Sequence, residues 1–188
     1  VRLAGEFAAG SLFSTLDKSI QVPLHGVCDV GTEAVAAGVV ELVDRVEQDA
    51  VPFGNKFIEL PGAPLGSHGL LFGPTEATNV AVRAKINTTN RKRRYSAFGI
   101  GLNGVGGYRL QVTASKRKLE LFKQDDVVAS VPFRWKPGQW LWTSLQVRKT
   151  GNSVWRIEGK VWEASTAAPT AWMISFNDRE EPFAGMAS

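Results

Sequence analysis

The sequence predicts an all-β protein of two antiparallel sheets packed into a sandwich. Three observations predict it. First, apolar and polar residues alternate with period two, as where Tyr108, Leu110, Val112 and Ala114 interleave with Arg109, Gln111 and Thr113. That is the mark of a strand with one dry and one wet face. Second, turn chemistry recurs between such runs, at Gly104–Gly107, Pro137-Gly138 and Lys149–Asn152. Third, at most one segment has helical spacing. A length of 188 residues suits one domain, 1–188, and 44% apolar residues can fill its core. A closed barrel is the structural rival, but the long polar strand faces favour a sandwich with one solvated sheet.

The elements follow in order. Residues 1–50 are the least regular. Ile20–Leu24 reads as a short strand. Val35, Val39, Leu42, Val43 and Val46 fit a helix with Thr32 as N-cap, yet the β-branched run Gly38–Val43 favours a strand. Phe57–Leu60 and Leu70–Phe72 are short strands bracketed by Gly and Pro. Strands are predicted at 80–87, 95–102, 108–115 and 119–123, then 127–131, 140–148, 154–162 and 172–176. The inward residues of these strands include Val82, Leu110, Val112, Leu145, Val147 and Ile157.

Composition narrows the function classes. Cys28 is the one cysteine, so no internal disulfide forms. No apolar run is long enough for a transmembrane helix. The chain opens at Val1 without a leader pattern and reads as a mature or excised piece of something longer. His25 and His68 lie 43 residues apart without ligand-spaced neighbours, which argues against zinc. No nucleophile-elbow motif supports serine hydrolysis.

Six Trp are many for this length, and four fall between Trp135 and Trp155. They form either a heavily packed core or a stacking surface. The wet faces of the central strands offer Arg83, Lys85, Arg109, Gln111, Trp142, Gln146, Arg148, Arg156 and Glu158. An aromatic plane amid planar hydrogen-bonding groups suits a sugar, with its CH face and rim of hydroxyls. The acidic residues weighed for catalysis are Glu120, Glu158, Asp178, Glu180 and Glu181. Glycosidases need two carboxyls about 5 to 9.5 Å apart. Glu158 is the one carboxylate on its strand face and a weak catalytic candidate, so the catalytic residue is unknown.

Several motifs together resemble the concanavalin A-like lectin/glucanase superfamily. They are Gly107–Val112, Leu119-Glu-Leu121, the Gly138-Gln-Trp140 entry into a strand ending Leu145–Arg148, then Gly159–Trp162, Pro169 and Trp172. The chain is most similar to bacterial laminin-G-like jelly-roll domains, some of them glycoside hydrolases, over about residues 55–185. The resemblance implies a jelly roll with its ligand on the concave sheet. It implies an extracytoplasmic carbohydrate-binding module, with a glycoside hydrolase or a structural, protein-binding module as alternatives. Two departures stand out. The Glu-x-Asp-x-x-Glu of laminarinase-type enzymes is absent. Such domains also close with a strand after the region near Gly185, so with the sequence stopping at Ser188 that strand is expected to be missing or supplied elsewhere. No cofactor is expected, save a structural Ca²⁺ that the resemblance alone suggests, with Asp125-Asp126 as contributors.

Charge distribution adds a last expectation. Successive loops of an antiparallel run alternate between sheet ends. Arg91, Lys92, Arg93 and Arg94, then Lys116, Arg117 and Lys118, then Arg134 and Lys136 should therefore share one end. That gathers nine of the 22 cationic residues, leaving 13 basic against 18 acidic elsewhere. Such an end suits an anionic polysaccharide or cell surface. Nucleic acid is the poorer fit, with only Tyr95 and Trp135 near for stacking.

Overall fold

The computed structural model describes residues 2–9, 58–59, 69–89, 95 and 97–188. The predicted segments at 20–24 and 35–46 lie outside these residues, as do Cys28, both histidines and Arg91–Arg94. The described chain is all antiparallel β, with no helix. Its strands are β1 (Arg2–Ala9), β2 (Ile58–Glu59), β3 (Phe72–Glu76), β4 (Val80–Asn87), β5 (Ala97–Leu102) and β6 (Tyr108–Thr113). They continue with β7 (Lys118–Lys123), β8 (Asp126–Pro132), β9 (Leu141–Gly151), β10 (Val154–Glu163), β11 (Ile174–Asp178) and β12 (Gly185–Ala187).

Two main sheets form. A six-stranded sheet runs β11-β10-β9-β4-β1-β2, and a four-stranded sheet runs β5-β6-β7-β8. β12 pairs with β3. β12 also meets the edge of β5, where the amide of Gly101 donates to Ser188 O, that of Ser188 to Gly101 O, and that of Gly104 to Met186 O.

Alternation positions the core between the sheets. Val82 and Ile86 of β4, Leu145 and Val147 of β9, and Ile157 of β10 face Ile100, Leu110, Val112, Leu119 and Leu121 of the other sheet, all buried. The six core residues expected from sequence are all among the buried ones. The sheets pack tightly at Gly159, where an added Cβ would stand 2.6 Å from Leu110 Cδ1.

Polar links tie the sandwich at one end. Asn103 has left-handed φ of 66°. Its Nδ2 donates to the carbonyls of Glu76 (3.1 Å), Ala77 (2.8 Å) and Phe183 (2.8 Å), gathering three chain segments. The Tyr108 hydroxyl crosses between sheets to donate to Asp178 Oδ2 at 2.7 Å. Lys123 Nζ reaches the same oxygen at 2.8 Å and also binds Glu180.

Candidate functional site

Register decides which polar residues meet. On the outer face of the six-stranded sheet, Lys85, Trp142 and Trp162 form one row across β4, β9 and β10. The next rows are Arg83–Ser144–Lys160, then Ala81–Gln146–Glu158–Ser175, then Arg148–Arg156–Asn177. Of the residues expected to bind, Trp142, Gln146, Arg148, Arg156 and Glu158 therefore share one surface, with Arg83 and Lys85 beside them.

Arg109 and Gln111 stand elsewhere, on the outer face of the four-stranded sheet. The Arg109 guanidinium lies over the Phe122 ring, 4.5 Å from its centroid. Gln111 donates to Thr113 Oγ1 (3.1 Å), which donates to Glu120 (2.5 Å). Lys116 binds the other Glu120 oxygen. Burial works against ionisation of Glu120, but the hydrogen bonds from Thr113 and Lys116 outweigh it and hold the carboxyl below its ordinary range. Alternation names the face of each strand but not the sheet to which the strand belongs, so sequence alone grouped these two residues with the rest.

The six-stranded face carries an aromatic row. Trp142 and Trp162 stack, with centroids 6.3 Å apart and planes 21° from parallel. Trp162 is buried beneath its neighbours while Trp142 is half-buried, so Trp142 presents the open plane. Cations stand against these rings. Arg83 and Lys160 each lie 5.6 Å from the Trp162 centroid. Lys160 is also 4.7 Å from that of Trp172, and Lys85 is 5.1 Å from that of Trp140. Counting by two from Glu158 reaches Lys160 and Trp162, so the signal for them was present in the sequence.

Glu158 is buried and fully engaged. It accepts from Gln146 Nε2 (2.7 Å) and Arg148 Nη2 (2.5 Å), and pairs with Arg156 Nε (3.1 Å). Two guanidiniums and an amide occupy three of the four lone-pair positions of this carboxylate and hold it within the face. Among the described side chains of this face it has no carboxyl partner. Asp178 lies on the inner face and Glu180 on the surface, joined through Lys123. Glu181 is exposed. No family model, curated protein or solved structure matches the chain.

Of the basic segments, those at 116–118 and 134–136 are described and Arg91–Arg94 are not. The amide of Phe133 donates to Arg117 O and that of Gly138 to Thr88 O, which ties the 132–139 loop to the 114–117 turn and to the end of β4. Lys116, Arg117, Lys118, Arg134 and Lys136 are exposed there. Trp135 is spent on the core, edge-on to Phe98 at 5.4 Å. Asp125 lies in the turn at the opposite end and Asp126 opens β8 beside it. Among the described residues no group of three or more His, Cys, Asp or Glu forms a metal cluster, and no helix is long and apolar enough to cross a membrane.

Proposed function

We propose that this chain is a carbohydrate-binding jelly-roll module of an exported protein, with the sugar on the outer, concave face of the six-stranded sheet. The observation that carries the reading is the Trp142–Trp162 stack on a strand face that continues into Gln146, Arg148 and Arg156. An exposed indole plane takes the apolar face of a pyranose, and amide and guanidinium groups beside it reach the hydroxyl rim. The β12–β5 bonds support the jelly-roll part. They extend the second sheet to the order β3-β12-β5-β6-β7-β8, opposite a sheet of six. Extracytoplasmic placement belongs to the same reading, since polysaccharides of this kind are met outside the cell.

Binding without catalysis is favoured over glycoside hydrolysis. A retaining or inverting mechanism needs one acid and one base or nucleophile. Glu158 is neutralised by Arg148 and Arg156, and the outer faces of β4, β9, β10 and β11 offer no second carboxyl. A glycan array with the purified domain tests the reading. The expected result is retention on a defined set of glycans, lost in Trp142→Ala, with no release of reducing sugar. Sugar release would move the assignment to a hydrolase, and retention unchanged in Trp142→Ala would remove the face from it.

A further inference from the structure

We infer that this face selects an acidic polysaccharide, and that an anionic group of the sugar sits over Ser144 between Arg83 and Lys160. The inference rests on the carbohydrate-binding reading and adds the charge class of the ligand.

Across β4, β9 and β10 the outer face carries Arg83, Lys85, Arg148, Arg156 and Lys160 against the single carboxylate of Glu158. On β1, Glu6 pairs in backbone register with Arg83 and Arg2 with Asn87. Glu158 neutralises one of its two arginines. Among the residues whose side chains are described, no carboxylate comes within ion-pair distance of Arg83, Lys85 or Lys160.

Geometry then gives a location. Arg83, Ser144 and Lys160 are direct neighbours across three strands. Strands lie about 4.8 Å apart, so two long cationic side chains flank one short one. Both cations converge on the Trp162 ring at 5.6 Å from its centroid. Ser144 is short and buried beneath them, so the ligand meets the two cations rather than the hydroxyl. Lys160 is fixed in advance, because its Nζ donates to Pro169 O at 2.7 Å, leaving two of its three N–H groups for a ligand. Burial and then the Arg83 guanidinium push the Lys160 amine below its ordinary range. Two like charges held together without a counter-charge are relieved by an anion placed between them.

A polymer fits better than a lone charged sugar. The Arg148–Arg156 row lies four residues along β9 and β10 from the Ser144–Lys160 row, about 13 Å at the usual strand rise. There the Arg148 Nε is buried without a partner. A chain bearing repeated anions reaches both rows at once, with the Trp142 plane alongside.

The test compares pairs of probes that differ in charge alone: polygalacturonate against its methyl ester, and dextran sulfate against dextran. Wild-type protein, Arg83→Gln and the loop variant K116S/R117S/K118S are titrated with each at low and physiological salt. Arg83 is exposed, so its replacement leaves the fold in place, and Lys85→Gln serves as a second exposed-side variant of the same face. The expected result is at least tenfold tighter binding of one charged probe than of its neutral partner, weakening with salt. Arg83→Gln should lose about tenfold on that charged probe, the worth of one charge-assisted hydrogen bond, and under twofold on the neutral one. Preference for polygalacturonate identifies a carboxylate and preference for dextran sulfate a sulfate. Both support the inference. Equal Trp142-dependent binding of charged and neutral partners overturns the acidic selectivity and leaves carbohydrate binding standing. Loss that follows the loop variant and not Arg83→Gln overturns the location. No binding to any of the four, with a silent glycan array, overturns both readings.

Discussion

Replacing Gly159 with Ala probes the contact on which the sandwich rests. A methyl at this position would stand 2.6 and 2.9 Å from the two Cδ atoms of Leu110 and 3.1 Å from Ile174 Cγ2. Ordinary carbon contacts are about 3.5–4.0 Å, so Leu110 must retreat by about 1 Å. Leu110 and Ile174 are 1% and 4% exposed, which leaves no open space to retreat into. Overpacking of this kind costs about 1–3 kcal/mol. In a strand interior without such a neighbour, Gly→Ala would instead gain about 0.5–1 kcal/mol. The expected net loss is therefore up to about 2.5 kcal/mol, a fall in Tm of up to about 10 °C for a domain of this size. Urea unfolding with an unchanged slope should report the same loss. Leu110→Ala alone should cost about 2–5 kcal/mol. In that background the Gly159 methyl fills vacated space, so the two changes should couple favourably by about 0.5–3 kcal/mol. A rise in Tm on Gly159→Ala alone, or simple additivity of the pair, would refute the packing of Leu110 onto Gly159.

Other outcomes follow from the same structure. Leu145→Ala should cost about 2–5 kcal/mol, because Leu145 is fully buried; a loss within about 0.5 kcal/mol, the range of surface changes, would contradict the register. Asn103→Ala should cost about 2–4 kcal/mol by stranding three carbonyls and straining a left-handed backbone position; Asn103→Gly should recover the backbone part only, and equal melting of both variants would be the contrary result. Around Asp178 stability should fall at both pH extremes. Burial opposes its ionisation, but hydrogen bonds from Lys123, the Glu180 amide and Tyr108 outweigh that and hold it below its ordinary range. Its contribution is thus present above the unfolded value of about 3.9 and lost as pH falls through the folded one. Burial and the Asp178 carboxylate push the Tyr108 phenol far up. The Lys123 amine is also raised, its bonds to Asp178 and Glu180 outweighing burial. Their contributions are present below about 10 and are lost as pH rises beyond it. Urea midpoints from pH 2 to 11 should therefore show two falling arms, both flatter in Asp178→Asn; arms as steep in the variant would count against the cluster.

Much of the fold was legible because alternation and turn chemistry act locally. β4, β7 and β10 match their expected spans within a residue at each end, and β9 overran its expected end into Lys149–Gly151. The β5–β6 turn fell at Asn103–Gly107 as expected, whereas the β9–β10 turn, expected at Lys149–Asn152, lies at 152–153. Short edge strands were less legible. β3 runs Phe72–Glu76, through Gly73-Pro74, which had read as a stop. β11 begins at Ile174 rather than Trp172. β12 is three residues long, and its pairing with β3 and β5 depends on backbone groups that side-chain patterns do not encode. The site was legible strand by strand but not across strands. Trp142 and Glu158 each stood out, whereas their neighbours are set by register. Burial of Gln146, Ser144 and Glu158 on a nominally wet face was not foreseeable, because it depends on cross-strand cover and on partners such as Arg148.

The central claim is that sugar binds on the Trp142 face. Calorimetric titration of polygalacturonate oligomers into wild-type protein and Trp142→Ala tests it most directly. Loss of the Trp142–Trp162 stack should cost about 0.5–1.5 kcal/mol beyond the lost burial of a half-buried ring, so circular dichroism at 25 °C first establishes that the variant is folded. The account predicts saturable binding to the wild type and none measurable to the folded variant. Equal binding by both proteins would contradict it.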